Sequence, residues 1–300
     1  MNVRQLLQIK AKKEGVAYRQ LLTHYAMERF LYRLSTSTAA NRFYLKGGML
    51  LMGLGAVPAR TTMDIDLLGR IDRNPENIKK AFNSILHSKA PAKDQVTFSS
   101  EFKIVEIMKD ALYTGIRVSL TASVCGDSCP ISIDIGFSDE VYPEPIWMEY
   151  PPLLPEVPPV RLLCYTKESM VAEKWQAMVQ LGRFNSRMKD FYDLWFLSRS
   201  YNFQYQTLRE AIERTFQRRG TEKSQYLLLF ESAYADAQQP EWSAYVSKLK
   251  AASFHRKLST ALPSRELTEV LAEIRTWLEP VMDETSPFSN WKPGVANVYA

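Results

Sequence analysis

The sequence predicts an α+β protein: a mixed α/β amino-terminal part with a mixed sheet, followed by a mostly helical carboxyl-terminal part. Three observations carry this. Stretches of apolar–polar alternation, the period of a strand with one buried face, fall between residues 62 and 137. Seven prolines between Pro143 and Pro159 rule out a regular helix there, because proline lacks the backbone donor and restricts its neighbour. From Thr166 to Pro280 the apolar residues recur at helical spacing.

In chain order, residues 2–12 and 17–34 read as helices, the second carrying Leu21, Leu22, Tyr25, Phe30, Leu31 and Leu34 at helical intervals. Ser35 to Ala40 is a polar break, and Phe43 to Lys46 a short strand or entry turn. Gly47-Gly48 precedes Met49 to Met52, a short helix ending near Gly53 or Gly55. Thr62 to Leu68 is a strand with Met63, Ile65 and Leu67 on one face and Asp64 and Asp66 on the other. Pro75 to Ser88 is a helix with Asn74 as its N-cap and Pro75 at its first position. Three strands follow, at Val96 to Met108, Leu112 to Val124 and Ile131 to Phe137. In the last, Ile131, Ile133, Ile135 and Phe137 oppose Ser132, Asp134 and Gly136. The proline-rich stretch reads as a packed extended connection anchored by Trp147 and Tyr150. Helices are expected near 167–182, 187–199, 205–219, 222–236, 241–256 and 264–278, then an irregular tail pinned by Phe288 and Trp291. The domain reading is basic helices at 1–40 packing on a core, an α/β domain at 41–160 and a helical domain at 161–300.

Composition narrows the function classes. With 300 residues, 46% hydrophobic and 24% charged, the chain can bury a sizeable core. It contains no apolar run of the length that spans a bilayer and no secretory-type leader, so a cytoplasmic protein away from membranes is expected. The three cysteines, Cys125, Cys129 and Cys164, read as free thiols rather than a disulfide or zinc framework. The net charge of +5 is uneven: residues 1–46 hold nine Lys or Arg against Glu14 and Glu28, a balance of +7. Such an end draws in polyanions such as RNA or forms a solvated helix face.

The chemistry centres on Asp64 and Asp66. Two carboxylates two residues apart on a strand stand side by side, and like charges that close are relieved by a cation between them. Strands disfavour Asp, so the pair points to a metal site of hard oxygen ligands. Asp134 repeats the pattern and completes a three-carboxylate Mg²⁺ site if its strand is a neighbour. Gly47 and Gly48, with Lys46 before them, permit close backbone approach to a phosphate; no Gly-Lys-Ser/Thr follows, so this is not a P-loop. Lys174 interrupts a helix stripe of Val171, Met178 and Leu181, and either snorkels out or points at something anionic. Arg187, Lys189, Asp190 and Asp193 form a dense charged start to the next helix, at the spacing of intrahelical ion pairs. There is no G-x-S-x-G elbow and no His-Glu-x-x-His, which removes serine hydrolases and zincins.

These residues together resemble the AbiEii/AbiGii-type nucleotidyltransferase toxins of the DNA polymerase β-like nucleotidyltransferase superfamily. The likeness rests on Lys46-Gly47-Gly48, Arg60 and Thr62, Asp64-Ile65-Asp66, Asp134, Ala172 to Ala177 around Lys174, and Ser186 to Leu194. It spans residues 40–200; the last 100 residues are similar only as a generic helical region. The turn has Gly48 where the superfamily often has Ser, which leaves phosphate contacts to backbone N–H groups.

The resemblance implies a polymerase β-like domain whose active-site cleft is completed by the helical domain. It implies a toxin of a toxin–antitoxin or abortive-infection pair that transfers NMP from an NTP to an acceptor hydroxyl, most of all the 3′ end of tRNA, and so blocks translation. Asp64 and Asp66 would hold Mg²⁺, or Mn²⁺. Asp134 would be a further ligand or general base, and Asp190 or Asp193 the acid of the helical domain. Lys46, Gly47, Gly48, Arg60, Thr62, Lys174, Arg187 and Lys189 would bind nucleotide. The implied partners are NTP, an RNA acceptor and a cognate antitoxin, with the chain a monomer. The competing expectations are a catalytically inactive RNA- or partner-binding module of the same fold, and another Asp-x-Asp metal enzyme such as a glycosyltransferase.

Overall fold

The structure is a computed structural model that describes residues 2–55, 62–109, 113–255, 262–283, 285–294 and 296–299. The chain forms two compact units. One comprises Met1–Ser138, Pro145–Cys164 and Phe254–Leu258; the other comprises Asp139–Glu144, Tyr165–Ser253 and Ser259–Ala300.

The first unit contains, in order, α1 (Val3–Glu14), α2 (Tyr18–Thr36), β1 (Phe43–Lys46), α3 (Gly47–Gly53), β2 (Asp64–Gly69), α4 (Pro75–Leu86), β3 (Val96–Lys109), β4 (Tyr113–Val124), β5 (Asp127–Gly136), β6 (Ile146–Tyr150) and β7 (Val160–Cys164). The strands make one seven-stranded mixed sheet in the order β3-β4-β5-β2-β1-β7-β6. The β2–β5 and β1–β7 pairs are parallel and the others antiparallel.

Local chemistry sets the helix ends. Asn2 and Gln5 form a capping box on α1, and Gly15 closes it in the left-handed region at φ 63. Asn74 caps α4 by accepting from the Glu76 N–H, with Pro75 at the first position. Helix α2 packs on β4, β5 and β7 and on α4. Its Leu21, Leu22, Tyr25, Phe30, Leu31 and Leu34 are buried, as are Ile65, Leu67, Ile131, Ile133 and Ile135 of the sheet. Each such side chain contributes roughly 1.5–3 kcal/mol of transfer free energy. The alternation expected of β2 and β5 is therefore real, except that Met63 precedes the strand and is exposed.

Two expectations change in this unit. The proline-rich stretch is not a plain connection: β6 and β7 form an antiparallel pair, and β7 runs parallel to β1. The prolines lie before β6 and between the two strands, where no ladder donor is lost. The basic amino-terminal end is also not uniformly solvated. Arg29 is fully buried against Glu28, Arg33 reaches both Asp94 (2.8 Å) and the Val96 carbonyl (2.6 Å), and Lys46 is buried. Part of the +7 balance holds this unit together rather than facing a polyanion.

The second unit contains α5 (Lys167–Leu181), α6 (Met188–Ser200), β8 (Phe203–Gln204), α7 (Tyr205–Arg219), a 3₁₀ segment Lys223–Phe230, α8 (Ser232–His255), α9 (Leu267–Met282), β9 (Phe288–Lys292) and β10 (Ala296–Tyr299). Helix α5 packs on α6 and α7, and α6 on α9. The helix expected at 222–236 is instead the 3₁₀ segment and the first part of α8, which continues through Pro240. A proline inside a helix costs about 3 kcal/mol locally; burial of Tyr234, Trp242, Val246 and Leu249 on both sides of it holds the helix together. The tail is strand rather than irregular. β9 pairs with β8 and β10, and the Trp291 indole donates to the Ser198 carbonyl at 2.6 Å.

Candidate active site

In the first unit the sheet register brings four of the chain's charged side chains into one row. Lys46 of β1 stands opposite Asp66 of β2, Asp66 opposite Asp134 of β5, and Asp134 opposite Arg117 of β4. Register partners point to the same face, so Lys46, Asp66, Asp134 and Arg117 cross four strands side by side, with Asp64 on the same face of β2. Asp64 and Asp66 are half-buried, and the Thr62 hydroxyl donates to Asp64 Oδ1 at 2.8 Å. The opposite face of the same strands carries the isoleucine core, so these carboxylates cannot leave this face without inverting the strand.

Gly47 explains itself at this point. Its φ is +64, and a Cβ there would lie 2.2 Å from Asp66 Oδ2 and 2.8 Å from Asp66 Cβ. Only glycine lets the turn from β1 into α3 pass this close to the Asp66 carboxylate. The glycine at this turn makes room for the Asp66 carboxylate. Gly48 is buried in the first turn of α3. Arg60 lies outside the described residues.

Asp134 is held. Arg117 Nε and Nη2 donate to its two oxygens at 2.7 and 2.9 Å, the side-by-side pairing that suits guanidinium and carboxylate. Asp134 is buried and Arg117 about half-exposed, and these hydrogen bonds, then the charges of Asp134, Asp64 and Asp66, hold the guanidinium above its usual pKa. Among the described residues, no three acidic, His or Cys side chains gather as a metal-holding group. The three acids share a face, but the third is occupied by an arginine. Sequence reading missed Arg117. Its signal is a charge between Ile116 and Val118 in an otherwise half-buried strand.

The second unit holds the other constellation. Lys174 of α5 reaches Asp190 Oδ1 at 3.0 Å and Asp193 Oδ2 at 2.5 Å, both on α6. Arg187, at the N-cap of α6, adds an ion pair, its Nε 2.9 Å from Asp190 Oδ2. Lys174 does point at something anionic, and the anions are the chain's own. Asp190 and Asp193 are almost wholly buried, as buried carboxylates with a cation at hydrogen-bond distance can be. The Arg187–Asp190 pair has the expected intrahelical spacing, whereas Lys189 is exposed. Also in this unit, Arg219 ties α7 to Asp139 at 2.6 Å and to Glu173 at 3.1 Å. Burial works to lower the Arg219 pKa, but Glu173 and Asp139 outweigh it and raise it.

Residues 29–265 match the family described as the nucleotidyl transferase AbiEii toxin, Type IV TA system. The chain belongs to the AbiEii family. The match covers both constellations, from Lys46 to Asp193. No curated protein matches the chain. Two solved structures are similar in outline. A candidate nucleotidyltransferase from H. pylori is 14% identical, covers 88% of this chain and 98% of its own, and has a TM-score of 0.46. JHP933 from Helicobacter pylori is 15% identical, covers 88% of this chain and 94% of its own, with a TM-score of 0.46. No described helix of this AbiEii member is long and apolar enough to cross a membrane.

Proposed function

We propose that this AbiEii member transfers a nucleoside monophosphate from an NTP to an RNA hydroxyl, most of all at the 3′ end of tRNA, and so arrests translation. The observation that carries this reading is the Asp64–Asp66 pair, set on one sheet face against the Gly47 turn. Two hard carboxylates and no soft ligand suit Mg²⁺ or Mn²⁺, so the residues fit a divalent cation. A cation bound there supplies positive charge to the triphosphate as the α-phosphorus is attacked.

The chain's own residues do the rest. Asp64 and Asp66 bind on the carboxylate face, with Thr62 fixing the orientation of Asp64. Lys46 stands beside Asp66 and adds positive charge to the row. Gly47 and Gly48 offer backbone N–H groups without a side chain in the way. Lys174 and Arg187 of the second unit are further nucleotide-binding residues, with Asp190 and Asp193 orienting Lys174. Arg60 and Lys189 belong to the same nucleotide set. The acceptor oxygen bonds to the α-phosphorus, the bond to pyrophosphate breaks, and the hydroxyl proton passes to a carboxylate. A cognate antitoxin opposes this activity in the cytoplasm, and the chain acts as a monomer.

The test is incubation of the purified protein with Mg²⁺, total tRNA and each of four labelled NTPs in turn. Label from one or more NTPs should appear in the tRNA, and Asp64→Ala and Asp66→Ala should abolish it. Absence of label in any RNA, together with unchanged growth arrest by Asp64→Ala in cells, overturns the reading.

A further inference from the structure

We infer that Arg117 is a positioning residue that withholds Asp134 from the metal, so that the cation is held by Asp64 and Asp66 without the third acid. This rests on the proposed reading of the site as a divalent-cation site. By residue type and register alone, Asp134 is a third ligand: it faces the same way as Asp66 and stands directly opposite it on a parallel neighbour. The geometry points elsewhere. Both Asp134 oxygens accept from one planar guanidinium, at 2.7 and 2.9 Å, from β4, the neighbour of β5 on the side away from Asp66. Arg117 is a permanent cation and cannot release the pair by losing its proton. Asp134 is only 4% exposed on its side chain and Arg117 46% exposed, so parting them would take a two-point charge-assisted pairing away from a buried carboxylate.

The consequence is an ordered division of the row. Asp66 is shared by the Gly47 turn and the metal, and Asp134 fixes Arg117. Arg117 thereby keeps a like-charged third carboxylate neutralised beside Asp64 and Asp66, which a two-acid site needs in order not to repel itself.

Mn²⁺ binding to the full-length protein without nucleotide, followed by the loss of the free-ion electron paramagnetic resonance signal, tests this directly. Asp66→Asn should weaken Mn²⁺ binding by about tenfold or more, while Asp134→Asn should change it by no more than about twofold. Arg117→Ala should tighten it by about threefold or more, by freeing Asp134, and the gain should vanish in the Arg117→Ala/Asp134→Asn double variant. Arg117→Lys, which cannot span both oxygens, should show part of the gain and guards against misfolding of the alanine variant. If Asp134→Asn weakens Mn²⁺ as Asp66→Asn does, or neither Arg117 variant tightens it, this inference is overturned and the metal reading stands. If the wild-type protein does not bind Mn²⁺, both are overturned.

Discussion

Gly47 and Asp66 are packed so closely that a methyl group on Gly47 would sit 2.2 Å from Asp66 Oδ2. The glycine of the turn and the acid of the next strand are one structural feature. Gly47→Ala must therefore move the Asp66 carboxylate, and it also pays the left-handed backbone strain of about 1–2 kcal/mol. Nucleotide transfer should fall by at least about tenfold, with thermal stability reduced by no more than the strain predicts. Gly55, also at positive φ but with nothing among the described residues within 4 Å of its Cβ, is the control: Gly55→Ala should leave transfer intact. Equal effects at both positions would show that backbone strain alone matters.

Arg33 is the test of where the amino-terminal charge goes. It is buried with Asp94, and removing one member of such a pair leaves a charge without its partner. Arg33→Ala should destabilise the protein by about 3–5 kcal/mol in urea unfolding. The exposed Arg19 should cost less than about 0.5 kcal/mol when changed to Ala. RNA binding, measured by salt-dependent retention, should respond to Arg19 and not to Arg33 among proteins that remain folded.

Lys174 carries two roles that kinetics and stability can separate. Lys174→Met removes the cation that faces Asp190 and Asp193, and should lower stability by about 3–5 kcal/mol. The double variant Lys174→Met/Asp193→Asn should recover part of that loss but none of the transfer activity. Full recovery of activity together with stability would confine Lys174 to holding α5 against α6.

The cysteines give a pH-dependent readout. Cys129 and Cys164 are fully buried and Cys125 is partly exposed. Burial pushes the Cys164 thiol up to about 12. Its folded pKa lies above the unfolded value of about 8.5, so its contribution to stability is present below pH ~8.5 and is lost as pH rises toward 12. At pH 8 a thiol reagent should label one cysteine per native chain, removed by Cys125→Ser. Cys164→Ala should flatten the fall in stability above pH ~8.5. Rapid labelling of Cys164 in the native protein would contradict its burial.

Much of this was legible in the chain itself. Asp64-Ile65-Asp66 and Ile133-Asp134-Ile135 state their faces by alternation, because a strand has period two, and Asn74-Pro75 states a helix start, because cap chemistry is local. Residues far apart in sequence state nothing about each other. That Asp134 meets Arg117, that Asp66 meets Gly47, and that Lys174 is answered by Asp190 and Asp193 depends on register and helix packing. The same holds for Pro240, which reads locally as a break and is overruled by burial around it. Which residue types stand on which face, and the succession of paired acids after a glycine turn, are written along the chain. Which cation each acid faces is set by the fold, because ion pairing acts over a few ångströms of space and not along the chain.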